Sequence, residues 1–166
     1  GDWIWTDRTN DQRTNSAYDL AADLRDLRIT ADDRYVYVYA GLSDIPNAVD
    51  PSPTVLALAF DTDRLNGDAL ENWIGDESGT GLNSVGTNKC RAERLVEISQ
   101  DGTFVYVPST STWSNASSAR AFVGKTNNGI EARIPRTTLG LPMATALTLR
   151  VAAAVFDRAA ANPQSS

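Results

Sequence analysis

The chain has 166 residues, enough for one domain with a sizeable core on the usual prior of roughly 100 to 200 residues per domain. Its 42% hydrophobic and 22% charged residues, with 11 Gly and 7 Pro, describe a globular protein rather than a disordered or collagen-like one. A net charge of −6, the absence of histidine and a single cysteine exclude a basic nucleic-acid surface, His-dependent nucleophile systems, His-ligated zinc or haem, and an intrachain disulfide.

No apolar stretch approaches the roughly 20 residues of a membrane-spanning helix, so no membrane insertion is expected. The first residues, GDWIWTD, lack the basic start and apolar core of a signal peptide. Of the 21 acids 16 are Asp, and 13 of the 15 basic residues are Arg, a bias that fits an exported bacterial protein; a secreted or cell-surface location is the expectation. Cys90 sits between Lys89 and Arg91, which favour a thiolate, but with no histidine partner an inert thiol is the plainer reading.

Apolar residues alternate with period two and the breaks between them are turn residues, so the chain reads as all-β. Residues 8 to 22 carry no assignment. LRDLRIT (24 to 30) is the first long strand, joined through Ala31, Asp32 and Asp33 to RYVYVYA (34 to 40) as an antiparallel hairpin. In the latter Val36, Val38 and Ala40 share one face and Tyr35, Tyr37 and Tyr39 the other. PTVLALAF (53 to 60) is continuously apolar, as in a central strand covered on both faces. Residues 64 to 91, rich in Asn, Gly and Asp, resist assignment.

RLVEIS (94 to 99) and TFVYVP (103 to 108) flank Gln100, Asp101 and Gly102, where Asp-Gly supplies the positive-φ positions of a tight hairpin. ARAFVGK (119 to 125) and IEARIP (130 to 135) pair across residues 126 to 129. Pro135 through Gly140 has the form of a helical turn, proline first and glycine closing it. LTLRVAAAVFD (147 to 157) is a long closing strand whose Ala-rich middle also tolerates helix, and the tail from 159 to 166 is polar. Eight or more strands with short turns predict a single antiparallel two-sheet β-sandwich over residues 1 to 158. Its interior is drawn from Leu27, Ile29, Val36, Val38, Leu56, Leu58, Phe60, Ile130, Ile134 and Val151.

The phrases WTDRTNDQR, DLRDLRITADDRYVYVYAGLSDI, LALAFDTD, AERLVEIS and GIEARIPRTTLGL follow one another in an order that resembles the DOMON-like sandwiches related to family 9 carbohydrate-binding modules. The similarity covers roughly residues 3 to 157, and its most specific phrase is Gly129 to Pro135 followed by Leu139-Gly140, with Asp61-Thr62-Asp63 next. It implies a jelly-roll or immunoglobulin-like sandwich that accompanies secreted glycoside hydrolases and surface-layer proteins. The haem-binding branch of that group uses Met and His ligands, and this chain has no His and only Met143, so the resemblance does not extend to redox chemistry.

Asp61, Asp63, Asn66, Gly67 and Asp68 place carboxylates, an amide oxygen and a turn glycine just beyond a strand, a hard-oxygen set suited to structural Ca²⁺, although the spacing is not that of an EF-hand. The alternative is an Asp-rich turn whose side chains cap local N–H groups. Asp7, Asn10 and Asp11 could meet Asp26 as a second calcium site if the entering segment lies beside the first hairpin; solvated surface Asp is the rival reading. Trp73 with Asn72 and Asp76, and Trp113 in a Ser/Thr-rich loop, suit saccharide binding, because flat sugar faces stack on aromatic planes while hydroxyls bond to amides and carboxylates. Plugging the ends of the sandwich is the alternative for each Trp and the favoured reading for Trp3 and Trp5; the tyrosine stripe reads as sheet packing.

No two carboxylates stand out as a glycosidase pair; Glu93, Glu97 and Glu131 sit in expected strands, with Glu131 pairing Arg133 or a neighbouring strand. Without a nucleophile motif or a phosphate loop the domain is expected to bind rather than catalyse. The expectation is a non-catalytic carbohydrate-binding accessory module of an extracellular glycan-degrading enzyme, with structural calcium, a polysaccharide or oligosaccharide partner and tethered domains. A structural or adhesive module of a bacterial surface protein is the alternative.

Overall fold

The computed structural model describes residues 3–8, 23–45, 54–62, 92–107, 112–124 and 127–157. These form ten strands and no helix: β1 (Trp3–Thr6), β2 (Leu24–Ala31), β3 (Tyr35–Leu42), β4 (Thr54–Asp61), β5 (Arg94–Ser99), β6 (Gly102–Val107), β7 (Thr112–Asn115), β8 (Arg120–Gly124), β9 (Gly129–Pro135) and β10 (Arg150–Asp157). The strands build two antiparallel five-stranded sheets, β1-β2-β3-β9-β8 and β10-β4-β5-β6-β7, stacked as a β-sandwich.

Alternation along each strand decides what lies between the sheets. Leu27 and Ile29 of β2, Val36, Val38 and Ala40 of β3, and Ile130, Ala132 and Ile134 of β9 meet Leu56, Leu58, Phe60, Val96, Ile98 and Val105 of the second sheet. All ten expected core residues lie here, with Val151 half-buried on the edge strand β10. The opposite face of β4 is buried as well: Val55, Ala57 and Ala59 join Leu95, Tyr106 and Ala154 in a separate apolar cluster. The unbroken apolar run of β4 therefore corresponds to a strand covered on both faces.

The three expected hairpins form, β2 with β3, β5 with β6, and β8 with β9. Gly102 closes the second at φ +136, as its Asp-Gly turn requires. In the third, Asn128 takes φ +49, a conformation that asparagine tolerates, and its Oδ1 accepts the Ile45 amide at 3.1 Å. The stretch after β9 is a turn rather than a helix. The Leu141 amide reaches the Arg136 carbonyl at 2.8 Å and the Gly140 amide the Thr137 carbonyl at 3.2 Å, with Gly140 at φ +71. This is the bond pair of a Schellman closure without a preceding helix. The buried Arg136 then fastens the following loop, its Nη1 donating to the carbonyls of Pro142 and Thr145 at 3.1 and 2.8 Å.

Two strands arise where the sequence pattern shows none. β1 adds to β2 with Trp3 opposite Ile29 and Trp5 opposite Leu27, and β7 adds to β6. Trp3 and Trp5 do not plug an end of the sandwich; they are 50% and 49% exposed along its flank. There they border a cavity of about 80 Å³ with Ile29, Leu149 and Val151. An edge strand has no neighbour on one side, so its inward side chains stay half in water.

Because Leu58 is fully buried between the sheets, Leu58→Ala is expected to lower unfolding free energy by about 2–5 kcal/mol, and Val151→Ala on the half-buried edge by less. Urea denaturation of both variants checks the ranking; equal losses would contradict this placement of the core.

Candidate functional site

The outward face of the first sheet carries the most chemically varied surface of the described residues. Since Val36, Val38 and Ala40 point inward, Tyr35, Tyr37 and Tyr39 project outward and stay half-buried, so the tyrosine stripe lines a surface rather than packing between sheets. The same alternation sends Glu131 and Arg133 of β9 and Arg120 and Phe122 of β8 outward, where they are exposed. Together with Arg28 and Thr30 of β2 they line an open groove of about 410 Å³. That volume falls within the usual range for a small-ligand site.

Register sets the order of these groups. One cross-strand row runs Arg28, Tyr39, Glu131, Phe122, and the next runs Thr30, Tyr37, Arg133, Arg120. On the far side of the first row, Asp26, Gly41, Gly129 and Gly124 stand in register. The missing side chains leave room that neighbouring rings occupy. A Cβ on Gly129 would lie 2.8 Å from Tyr39 Cε2, one on Gly124 would lie 3.0 Å from Phe122 Cε1, and one on Gly41 would meet the Asp26 carboxylate. Tyr39 and Phe122 thus lean over the glycines and leave the space between the two rows open.

Polar contacts hold the other walls. The Arg28 guanidinium lies 5.4 Å from the Tyr39 ring centroid while its Nε donates to Asp26 Oδ1 at 2.9 Å. Arg133 stacks on Tyr35 at 4.6 Å rather than pairing with Glu131, and the Tyr35 and Tyr37 rings are tilted by 55° at 6.1 Å. Each exposed cation–π contact is worth about 0.5–1 kcal/mol, enough to favour one rotamer. Asp32 binds the groove to the β2–β3 turn. Its Oδ1 accepts the amides of Arg34 and Tyr35, both at 2.8 Å, and its Oδ2 accepts the Tyr37 hydroxyl at 2.7 Å.

A second cluster lies at the end of β4, where the first calcium site is expected. Asp61 is buried and stands in register with Arg150, whose Nη1 lies 3.5 Å from Asp61 Oδ2. On the other side Glu93, just ahead of β5, donates its amide to the Phe60 carbonyl, which continues the β4–β5 ladder and brings Glu93 beside Asp61 and Thr62. Glu93 Oε2 accepts from the Thr62 amide at 2.5 Å and the Thr62 hydroxyl at 3.0 Å. Its Oε1 is buried and has no hydrogen-bond partner among the described residues. Asp63, Asn66 and Asp68 lie outside the described residues, and among the described residues no three metal-ligating side chains gather. Glu93 carries no local motif in the sequence; only the β4–β5 pairing associates it with Asp61.

The second expected calcium cluster is described only in part. Asp26 is bound to Arg28, Asp7 Oδ1 accepts the Arg8 amide at 2.9 Å, and Asp11 lies outside the described residues. Of the expected sugar-binding residues, Asn72, Trp73 and Asp76 also lie outside them. Trp113 is on β7, the edge of the second sheet, in register with Tyr106, whereas the groove lies on the first sheet. No helix among the described residues is long and apolar enough to cross a membrane. No protein-family model matches the chain, and comparison with curated proteins finds no match.

The Arg34 amide, the Tyr37 hydroxyl and the Tyr35 amide, in that order, hold the Asp32 carboxyl below the usual aspartate pKa, and the same bond raises the Tyr37 hydroxyl. A depressed folded-state pKa means that Asp32 contributes fully above the ordinary aspartate value and loses its contribution as pH falls through the lower one. In a carboxyl NMR titration Asp32 is expected to have a lower midpoint in the folded chain than in urea. Asp32→Asn is expected to remove that part of the acid-dependent loss of stability; equal midpoints would contradict the turn geometry.

Proposed function

We propose that this chain is a non-catalytic carbohydrate-binding module of an extracellular, bacterial glycan-degrading enzyme, akin to the DOMON-like and family 9 sandwiches that its phrases resemble. The observation that carries the reading is the open groove of about 410 Å³, in which Tyr37, Tyr39 and Phe122 stand among Arg28, Arg120, Arg133 and Glu131. Aromatic faces accept the C–H face of a sugar ring, and the interleaved charged groups bond its hydroxyls. An open trough across a sheet suits a polymer better than a closed pocket does. Trp73 and Trp113 remain candidates for a further contact with the same chain.

Native gels cast with soluble polysaccharides test this. Retardation is expected to weaken about fivefold to tenfold for Tyr39→Ala or Phe122→Ala, since a stacked aromatic contributes about 1 kcal/mol or more. Trp73→Ala and Trp113→Ala in the same gels determine whether those residues contribute. Unchanged migration of the wild-type protein in starch, xylan, cellulose-derivative, mannan and pectin gels would favour the structural or adhesive surface-module reading.

Structural calcium belongs to the same proposal. The β4–β5 pairing brings Asp61 and Glu93 to neighbouring positions, and Glu93 Oε1, without a partner among the described residues, is the kind of buried acceptor that a cation satisfies. With Asp63, Asn66 and Asp68, which follow in the sequence, the set approaches the six to eight oxygens that Ca²⁺ prefers. Bound calcium would stabilise the fold by about 2.7 kcal/mol at a hundredfold excess over Kd. A higher melting temperature in millimolar Ca²⁺ than in chelator is expected, with the difference reduced in Glu93→Gln; identical melting would remove calcium from the proposal.

A further inference from the structure

We propose that Arg120 and Arg133 form an anion subsite within the groove, which selects sugars bearing a carboxylate or a sulfate ester. The inference deepens the saccharide reading above and rests on it.

Arg120 of β8 and Arg133 of β9 are directly opposed in register, and both side chains are exposed on the same face. Opposed positions on adjacent antiparallel strands bring Cβ atoms to about 4.5–5.5 Å, so two like charges there destabilise the sheet. Two other arginines on the strands have carboxylate partners, Arg28 with Asp26 and Arg150 with Asp61. Among the described residues neither Arg120 nor Arg133 forms an ion pair with a carboxylate. Glu131 lies one row away, opposite Tyr39 and Phe122, and Arg133 turns toward Tyr35. In a chain of net charge −6, an unmatched cationic pair on the floor of an aromatic groove is a local reversal of sign.

A ligand anion between the two guanidinium groups removes that repulsion. Each planar fork presents N–H groups in the geometry that carboxylate and sulfate oxygens accept, often in pairs. Thr30 and Tyr37 stand on the same row and offer hydroxyls to the rest of the ring, while Tyr39, Phe122 and Glu131 border it on the next row. An acidic sugar would place its anion on the arginine row and its C–H face against the aromatic side.

Calorimetric titration with galacturonate oligomers, their carboxyl-reduced counterparts, dextran sulfate and dextran tests the proposal. Binding of the galacturonate oligomers or of dextran sulfate at least tenfold tighter than of the neutral partner is expected, and which acidic ligand prevails identifies the anion. Arg120→Gln and Arg133→Gln are each expected to weaken that binding about tenfold, consistent with loss of a charge-assisted bond. Arg120 is on an edge strand and makes no stacking contact among the described residues, so its variant, relieved of the like-charge opposition, is expected to melt at or above the wild-type temperature. Arg8→Gln, at the opposite edge of the sheet, is expected to leave affinity unchanged.

Equal affinity for acidic and neutral partners would overturn the anion subsite and leave the saccharide reading standing. Binding of an acidic ligand that neither substitution weakens would overturn it as well. No binding of any of these sugars by a folded wild-type chain would overturn both.

Discussion

The antiparallel register of β3 against β2 and β9 is the constraint on which both sides of the first sheet depend. It places Val38 between Ile29 and Ala132 on the inner face and Tyr37 between Thr30 and Arg133 on the outer. Side chains alternate strictly along a strand, so a slip of one residue would send tyrosines into the core and valines into water. Hydrophobic burial of one face thereby fixes the positions of polar groups on the other. The groove has no need of its own folding energy because the core beneath it holds its register.

Asp32 shows how that coupling extends into the turn. A carboxylate that accepts two amides makes the β2–β3 connection an Asx-type turn, which pins the hairpin register at its origin. The second oxygen of the same group orients Tyr37, five residues on and inside the groove. A turn residue thus controls a ring in the candidate site through the opposite end of one side chain. Glu93 acts in a comparable way at the other sheet, where one oxygen secures Thr62 at the end of β4 while the other is held in a buried position.

Strands with long apolar alternation and turns with Asp-Gly or Asn-Gly were legible in the sequence, since periodicity and positive-φ residues are local properties. The edges were not. Trp3–Thr6 and Thr112–Asn115 have four residues each and no decisive alternation; they become strands because β2 and β6 present unpaired backbone edges to them. The aromatic face of residues 35 to 39 was visible as a stripe, but alternation alone does not say which face meets the second sheet. Opposition of Arg120 to Arg133, and of Glu93 to Asp61, depends on the lengths of the connections and the register they impose, quantities that no local spacing contains. Pro135 and Gly140 did mark the ends of a turn, yet the segment between them is too short to propagate a helix and closes at once.

The row of Gly41, Gly129 and Gly124 makes the aperture of the groove depend on atoms that are absent. Tyr39 and Phe122 rest where methyl groups on Gly129 and Gly124 would otherwise stand, so their tilt is set by backbone surface rather than by a mating side chain. A single added carbon at position 129 or 124 would tip a ring back across the floor and narrow the trough, while every core contact and every ligand-facing group kept its identity. Groove width is therefore set from beneath the rings that border it, by the backbone on which they rest.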